Sequence, residues 1–244
     1  MSRVIAMWSG PRNISTAMMR SWENRPDTTA WDEPLYPCFL KRTGVEHPGR
    51  DHVLEQHAHE IDYDRVVERL LSDADTPIFY QKHIAHHLMD EMDRTWMDDG
   101  RVDHCFLIRN PREMMLSLYK RYPEMVLRDT GLPQQFEIFQ RCLEADGECP
   151  PVIDAREVLE NPRRTLGALC DRLAIPFDEA MLSWPPGPRD CDGAWADWWY
   201  DSVRASTRFA SWAPREGQLP PHLDTVLEEC ELLYGQLHEH RIRG

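Results

Sequence analysis

The opening stretch, Arg3 to Thr16, constrains this chain more than any other. Val4, Ile5, Ala6, Met7 and Trp8 form a nearly continuous apolar run, the mark of a strand buried on both faces. Ser9, Gly10 and Pro11 stop it. From Ile14 to Trp22 the apolar positions Ile14, Met18 and Trp22 fall on one side of a helix. Strand, tight loop and helix in that order aim backbone N–H groups and the positive end of a helix dipole at one point, which suits a phosphate. Arg12 adds a permanent cation with a planar fork of donors, and Ser15 and Thr16 add hydroxyls. The same stretch also reads as the plain start of any α/β protein, with Arg12 on the surface and Ser15 and Thr16 as caps. The usual phosphate-loop formula, G-x-x-x-x-G-K-[ST], is absent.

The 244 residues suffice for one large α/β domain with its own core. No break in composition marks a second unit, so residues 1–244 are expected to form a single domain. A net charge of −14 argues against general nucleic-acid binding and against an anionic membrane surface. No apolar run approaches the ~20 residues of a membrane span, and the first run is too short for a signal-peptide core. Seven scattered cysteines, odd in number and without a C-x-x-C pair, read as free thiols in a reducing cytosol. A cytoplasmic location is therefore expected. The oligomeric state is not legible.

Further along, Thr28 to Trp31 favours a strand and ends in Asp32-Glu33-Pro34. Two carboxylates at a strand end near a phosphate loop are candidates for a general base; they equally suit the start of a helix from Leu35 to Arg42. Thr43 to Gln56 reads as a long loop or mobile cover. Tyr63 to Leu71 is helical. Pro77 to Lys82 is a strand that delivers Lys82 and His83 at its end, where open parallel sheets present functional groups. His83-x-x-His86 would put two imidazoles on one helix face, but no Cys or second carboxylate joins them at a ligand spacing, so no metal is expected. Val102 to Ile108 is the next strand, followed by Arg109 and a helix that carries Ser117 two turns down. Leu132 to Leu143 and Asn161 to Leu173 are helices, with a short strand at Pro151 to Ala155 between them. Trp195, Trp198, Trp199, Tyr200, Phe209 and Trp212 crowd a late segment with Arg204 and Arg208. Such density is core or the wall of a ligand pocket. Pro221 to Leu237 is the closing helix.

These pieces resemble the sulfotransferases that use 3′-phosphoadenosine-5′-phosphosulfate. Pro11-Arg12-Asn13-Ile14-Ser15-Thr16 is similar to that family's 5′-phosphosulfate loop, which begins Pro-Lys/Arg-Ser-Gly-Thr-Thr. Arg109-Asn110-Pro111-Arg112 with Ser117 and Tyr119 resembles its 3′-phosphate segment. Asp154 to Arg163, continuing to Leu173-Ala174-Ile175-Pro176, resembles its downstream strand–helix section. The resemblance implies an α/β fold: a P-loop-type parallel sheet flanked by helices. It implies an enzyme that transfers a sulfuryl group to a hydroxyl or amine of a small-molecule acceptor, releasing adenosine 3′,5′-bisphosphate.

Carried over residue by residue, the resemblance gives donor contacts to Gly10, Arg12, Asn13, Ile14, Ser15, Thr16, Arg109 and Ser117, with Arg12 also stabilising the leaving phosphate. For the base, His83 is the first choice and Glu33 the second. His83 follows a strand as in members with a Lys-x-His segment, though Gln81 holds the place of the Lys. Glu33 resembles the Glu used by some bacterial carbohydrate sulfotransferases. Three departures stand out. Ile14 replaces a Gly, Ala17 replaces a Trp that often holds the adenine, and the late Arg-Lys-Gly-x-x-Gly segment is absent, with Val203 to Arg208 as its replacement and Arg204 as the contact. Two other functions fit the same outline: a small-molecule kinase or nucleotide hydrolase, and a nucleotide-binding protein without activity.

Overall fold

The computed structural model describes residues 1–243. Its centre is one parallel sheet of β1 (Arg3–Ser9), β2 (Thr28–Asp32), β3 (Ile78–Ile84), β4 (Val102–Ile108) and β5 (Val152–Asp154), in the order β2-β3-β1-β4-β5. The helices are α1 (Ser15–Glu23), α2 (Tyr36–Thr43), α3 (Arg50–Gln56), α4 (Tyr63–Leu70), α5 (Pro111–Leu118), α6 (Leu132–Asp146), α7 (Ala155–Glu160) and α8 (Pro162–Arg172), then the short α9 (Ala196–Trp199) and α10 (Asp201–Arg204), and α11 (Asp224–Glu239).

The apolar run that opens the chain takes the middle position because both its faces need cover. Val4 to Trp8 are all buried, and β1 pairs in parallel with β3 on one side and β4 on the other. Side chains alternate across a strand, so Met7, Lys82 and Asp32, in register on three neighbouring strands, are followed by residues that point the other way. On one face Trp22 of α1 stacks on Tyr80 at 5.4 Å. On the opposite face Phe139 of α6 meets Phe106 edge-on at 5.5 Å. All five strands run the same way. Their C-terminal ends therefore bring Gly10, Glu33, Ile84 and Arg109 to one edge of the sheet, where ligands of open α/β sheets bind.

That edge is tied down by side chains that satisfy strand carbonyls. Gln135 of α6, fully buried, donates through Nε2 to the carbonyls of Trp8 and Leu107, each at 3.0 Å. Leaving such groups unpaired would cost about 1–3 kcal/mol each. The late tryptophan-rich segment is fastened to α1 by a buried ion pair, Arg20 Nη1 to Asp192 Oδ1 at 2.6 Å and Nη2 to Oδ2 at 2.8 Å.

Two expectations change. Residues 50–56 are helical rather than loop; α3 buries only Val53, so it shows no apolar stripe for periodicity to detect. His83 lies inside β3, and His86 in the 3₁₀ turn Ala85–His87, so the pair does not share a helix face. Among the described residues no cluster of His, Cys, Asp and Glu has the makings of a metal site, and no helix is long and apolar enough to cross a membrane. Cys38, Cys105, Cys170 and Cys230 are buried thiols.

Removing one member of the Arg20–Asp192 pair leaves the other buried without its counter-ion. Arg20→Met is expected to lower the unfolding free energy by roughly 3–5 kcal/mol, read by urea denaturation, and Arg20→Met/Asp192→Asn is expected to recover part of the loss.

Candidate active site

The turn from β1 into α1 has an unusual backbone. Arg12 and Ile14 both sit in the left-handed region, at φ 62° and 58°. For a β-branched residue this is an outlier, of the kind that costs about 1–3 kcal/mol and concentrates at functional sites. Glycine would adopt the same angle freely, so Ile14 holds at a cost a conformation that a glycine there would take without strain. Ile14 is also the N-cap of α1, and it supplies no capping side chain. The first-turn amides of the helix thus lack an acceptor from the cap and face the position where the dipole favours an anion. Gly10 is required for packing: a Cβ there would collide with the Thr130 carbonyl. Asn13 turns inward, its Nδ2 donating to the Leu107 carbonyl at 3.1 Å, so its side chain holds the loop and only its backbone is left for a ligand.

Arg12 and Arg109, distant in sequence, meet here. Arg12 Nε donates to Ser117 Oγ at 3.0 Å, and Arg109 Nη1 donates to the Arg12 carbonyl at 2.9 Å. Arg109 is also paired with Glu113 through Nη2 at 3.1 Å. Packing around the Arg12 guanidinium, then the charges of Arg215, Arg121 and Arg109, lower its pKa. Arg109 is lowered by burial, against the pull of Glu113, with Arg215 again adverse. The positive charges of Arg109, Arg121 and Arg215 are felt at the Arg12 guanidinium, and an anion of several charges would relieve that repulsion.

The sequence reading missed Arg215 and Arg121. Arg204 is engaged elsewhere, with Asp197 at 2.8 Å and Asp192 at 4.0 Å. The late arginine that bears on Arg12 and Arg109 is Arg215, in a stretch without regular structure that Arg112 holds by donating to the Gly217 carbonyl at 3.0 Å. The usable signal was the Arg215-Glu216-Gly217 run itself.

A second group of charges lies at the ends of β2 and β3. Lys82 and Asp32 are each 1% exposed. Lys82 Nζ donates to Asp32 Oδ1 at 2.9 Å, to Glu33 Oε1 at 2.6 Å and to the Tyr200 hydroxyl at 2.5 Å. Burial disfavours the ammonium, but Asp32, Glu33 and Tyr200 outweigh it and raise the Lys82 pKa well above normal. Glu33 is strained as well, at φ 38°. Burial raises its carboxyl pKa, Lys82 opposes, and Asp32 adds to the rise. A raised carboxyl pKa makes a better proton acceptor.

His83 does not join this group. One residue beyond Lys82, it points to the other face of the sheet, where it stacks on Trp8 at 4.3 Å with Trp96 and His104 nearby. Its Nε2 meets Gln81 Oε1 at 3.3 Å. Burial, then His104, push its pKa down to about 3.

The imidazoles near Glu33 are others. His87 Nδ1 lies 3.8 Å from Glu33 Oε2, and the His87 ring stacks on Tyr36 at 4.8 Å. Tyr36 OH is 2.7 Å from His47 Nδ1, and the His47 ring neighbours Tyr122 and Trp199. Burial lowers the pKa of both His47 and His87. The result is a wall of aromatic and neutral imidazole rings running from Glu33 to Tyr122 and Trp199, and Arg121 lies over Trp199 at 5.4 Å.

Comparison with known proteins bears on the whole chain. Residues 2–238 match the family described as Sulfotransferase domain. Two curated Arabidopsis thaliana proteins, Branched-chain-amino-acid aminotransferase-like proteins 1 and 2, are 39% and 37% identical over 97% of this chain. The chain spans only 42% of the length of each. A solved sulfotransferase from Alicyclobacillus acidocaldarius covers the full chain, and 97% of its own, at 12% identity and a TM-score of 0.57. The sulfotransferase domain of the Synechococcus PCC 7002 olefin synthase aligns over 93% of both chains at 15% identity and a TM-score of 0.50. At such identities these structures show a shared fold.

The buried neutral His83 has a measurable consequence. Its folded pKa of about 3 lies below the free value of 6.5, so below pH 6.5 the unfolded chain binds a proton that the folded one does not. Stability is expected to fall as pH drops from 6.5 towards 3, by up to about 1.4 kcal/mol per pH unit for this residue. His83→Phe, which keeps the ring stack on Trp8, is expected to make that slope shallower in urea titrations at stepped pH.

Proposed function

The chain belongs to the sulfotransferase domain family, and from that premise we propose that it moves a sulfuryl group from 3′-phosphoadenosine-5′-phosphosulfate to a hydroxyl or amine of a small molecule by in-line displacement. The observation that carries the choice of donor is the meeting of Arg12, Arg109 and Ser117 beside the uncapped start of α1. A donor with phosphates at both ends of one nucleoside fits a site where two separate segments supply cations to adjoining positions. Bound there, it supplies a sulfuryl group activated by its phosphate leaving group.

Each residue's part follows from its place. Arg12 and the first amides of α1 bind the 5′ end and stabilise charge that develops on the bridging oxygen. Ser15 and Thr16, at the first positions of that helix, add hydroxyl donors. Arg109 and Ser117, with Arg215, hold the 3′-phosphate and fix register. Glu33 takes the acceptor's proton. It stands at the end of β2, the phosphate loop at the end of β1, and only β3 lies between them. Two strand spacings are about 10 Å, which leaves room for the sulfuryl group and the acceptor atom. The rings of Tyr36, His47, Tyr122 and Trp199 wall the acceptor. His83, facing the aromatic core, is given no part in the chemistry.

Calorimetry with adenosine 3′,5′-bisphosphate, against ATP with magnesium, tests the donor. Binding of the bisphosphate alone is expected; preference for ATP with magnesium would favour a kinase or hydrolase. An acceptor screen with sulfur-labelled donor tests turnover, and no transfer to any acceptor would favour a binding protein without activity. Arg12→Ala is expected to lower kcat by roughly 10²–10³. Glu33→Gln is expected to abolish turnover with bisphosphate affinity retained, and full activity in that variant would reject Glu33 as base.

A further inference from the structure

We propose that Lys82, Asp32 and Tyr200 are positioning residues for Glu33: together they fix its Oε1 and leave Oε2 as the atom that receives the acceptor's proton. This inference rests on the reading of Glu33 as the base.

The argument begins with the donors of Lys82. An ammonium has three N–H groups. All three are used, on Asp32 Oδ1, Glu33 Oε1 and Tyr200 OH. With 1% of its side chain exposed, Lys82 has no donor left for a phosphate, so it acts through Glu33 and not on the donor nucleotide.

Tyr200 closes the arrangement. Its hydroxyl accepts from Lys82 and from Trp195 Nε1 at 3.2 Å, and donates to Asp32, 2.7 Å from Oδ2 and 2.9 Å from Oδ1. Asp32 Oδ2 accepts in addition from the Gly193 amide at 3.2 Å. Every polar atom of the three residues is satisfied, and a network so completed is rigid. Glu33 Oε1 is the one point where it grips the base. From Glu33 Oε2, His87 Nδ1 lies 3.8 Å away, beyond hydrogen-bond reach.

The proton balance is direct. The acceptor's O–H or N–H proton passes to Glu33 Oε2. The electron pair freed on the acceptor attacks sulfur, and the bond between sulfur and the bridging phosphate oxygen breaks with its pair staying on phosphate. Lys82 keeps its protons throughout, and its charge holds Glu33 ionised until the proton arrives.

The titratable groups facing Glu33 are Asp32 from β2, Lys82 from β3, His87 from the turn after β3, Tyr36 from α2 and Tyr200 between α9 and α10. Of these, Lys82 and Tyr200 favour the ionised carboxylate and Asp32 opposes it. Lys82→Met and Tyr200→Phe should therefore shift Glu33's titration the opposite way from Asp32→Asn.

The test is a carbon-13 NMR titration of side-chain carboxyl groups in the full chain saturated with adenosine 3′,5′-bisphosphate. The Glu33 signal is assigned by its loss in Glu33→Gln. Expected are a midpoint raised by about one pH unit or more in Lys82→Met, raised by less in Tyr200→Phe, and lowered in Asp32→Asn, with bisphosphate affinity unchanged in all three. An unchanged midpoint in Tyr200→Phe and Asp32→Asn would overturn the proposal, and so would loss of bisphosphate affinity in Lys82→Met. Should Lys82→Met fail to fold, the other two decide by their opposite signs. Because the titration needs no turnover, its failure is distinct from retained activity in Glu33→Gln, which would reject the base itself.

Discussion

The buried ammonium of Lys82 is the charge around which the C-terminal edge of β2 and β3 is assembled. A cation with almost no access to water is untenable without partners. This one draws two carboxylates from the end of β2 and a tyrosine hydroxyl from more than a hundred residues further on. The pairing fixes the strained turn at Glu33. It also makes the late tryptophan-rich segment part of the same unit as the sheet. Arg20 and Asp192 fasten that segment to α1, so the helix that follows the β1 loop also carries the anchor for the residues packed behind Glu33.

The turn between β1 and α1 violates local preference in a way that has a compensating structure. Ile14 and Arg12 hold left-handed angles that a free chain would avoid. What holds them there is a set of buried contacts just beneath: Asn13 and Gln135 on the Leu107 carbonyl, and Gly10 packed without a side chain against Thr130. Local rules broken at a site and offset by its surroundings are a mark of function. Here the consequence is an uncapped helix start facing a cluster of arginines.

Much of the fold was legible because strands and helices with an apolar face advertise their period. The strands at Val4, Ile78 and Val102 are apolar runs of the right length, and Met18 and Trp22, or Leu166 and Leu169, repeat at helical spacing. Helix α3 was hidden because it is short, polar and buries one residue. At the candidate site, Arg12, Arg109, Ser117 and Glu33 stood out from local motifs. Tyr200 was not, since nothing near it in sequence distinguishes a tyrosine that seals a buried ion pair from one that fills a core. Arg215 was missed for a related reason: its stretch has no period, and it matters only because the fold lays it across α5 towards two other arginines.

By itself the sequence determined the strands and the helices with an apolar face, and their order, that a loop with an arginine follows the first strand, and that a second arginine follows a strand in the middle of the chain. Only the tertiary structure put Lys82 against Asp32 and Glu33 and its neighbour His83 against Trp8. Neighbours on a strand point to opposite faces, and what each face meets depends on the order of the strands and on what packs above and below them. The composition of β3 is silent on that choice; the parallel register with β1 and β2 settles it.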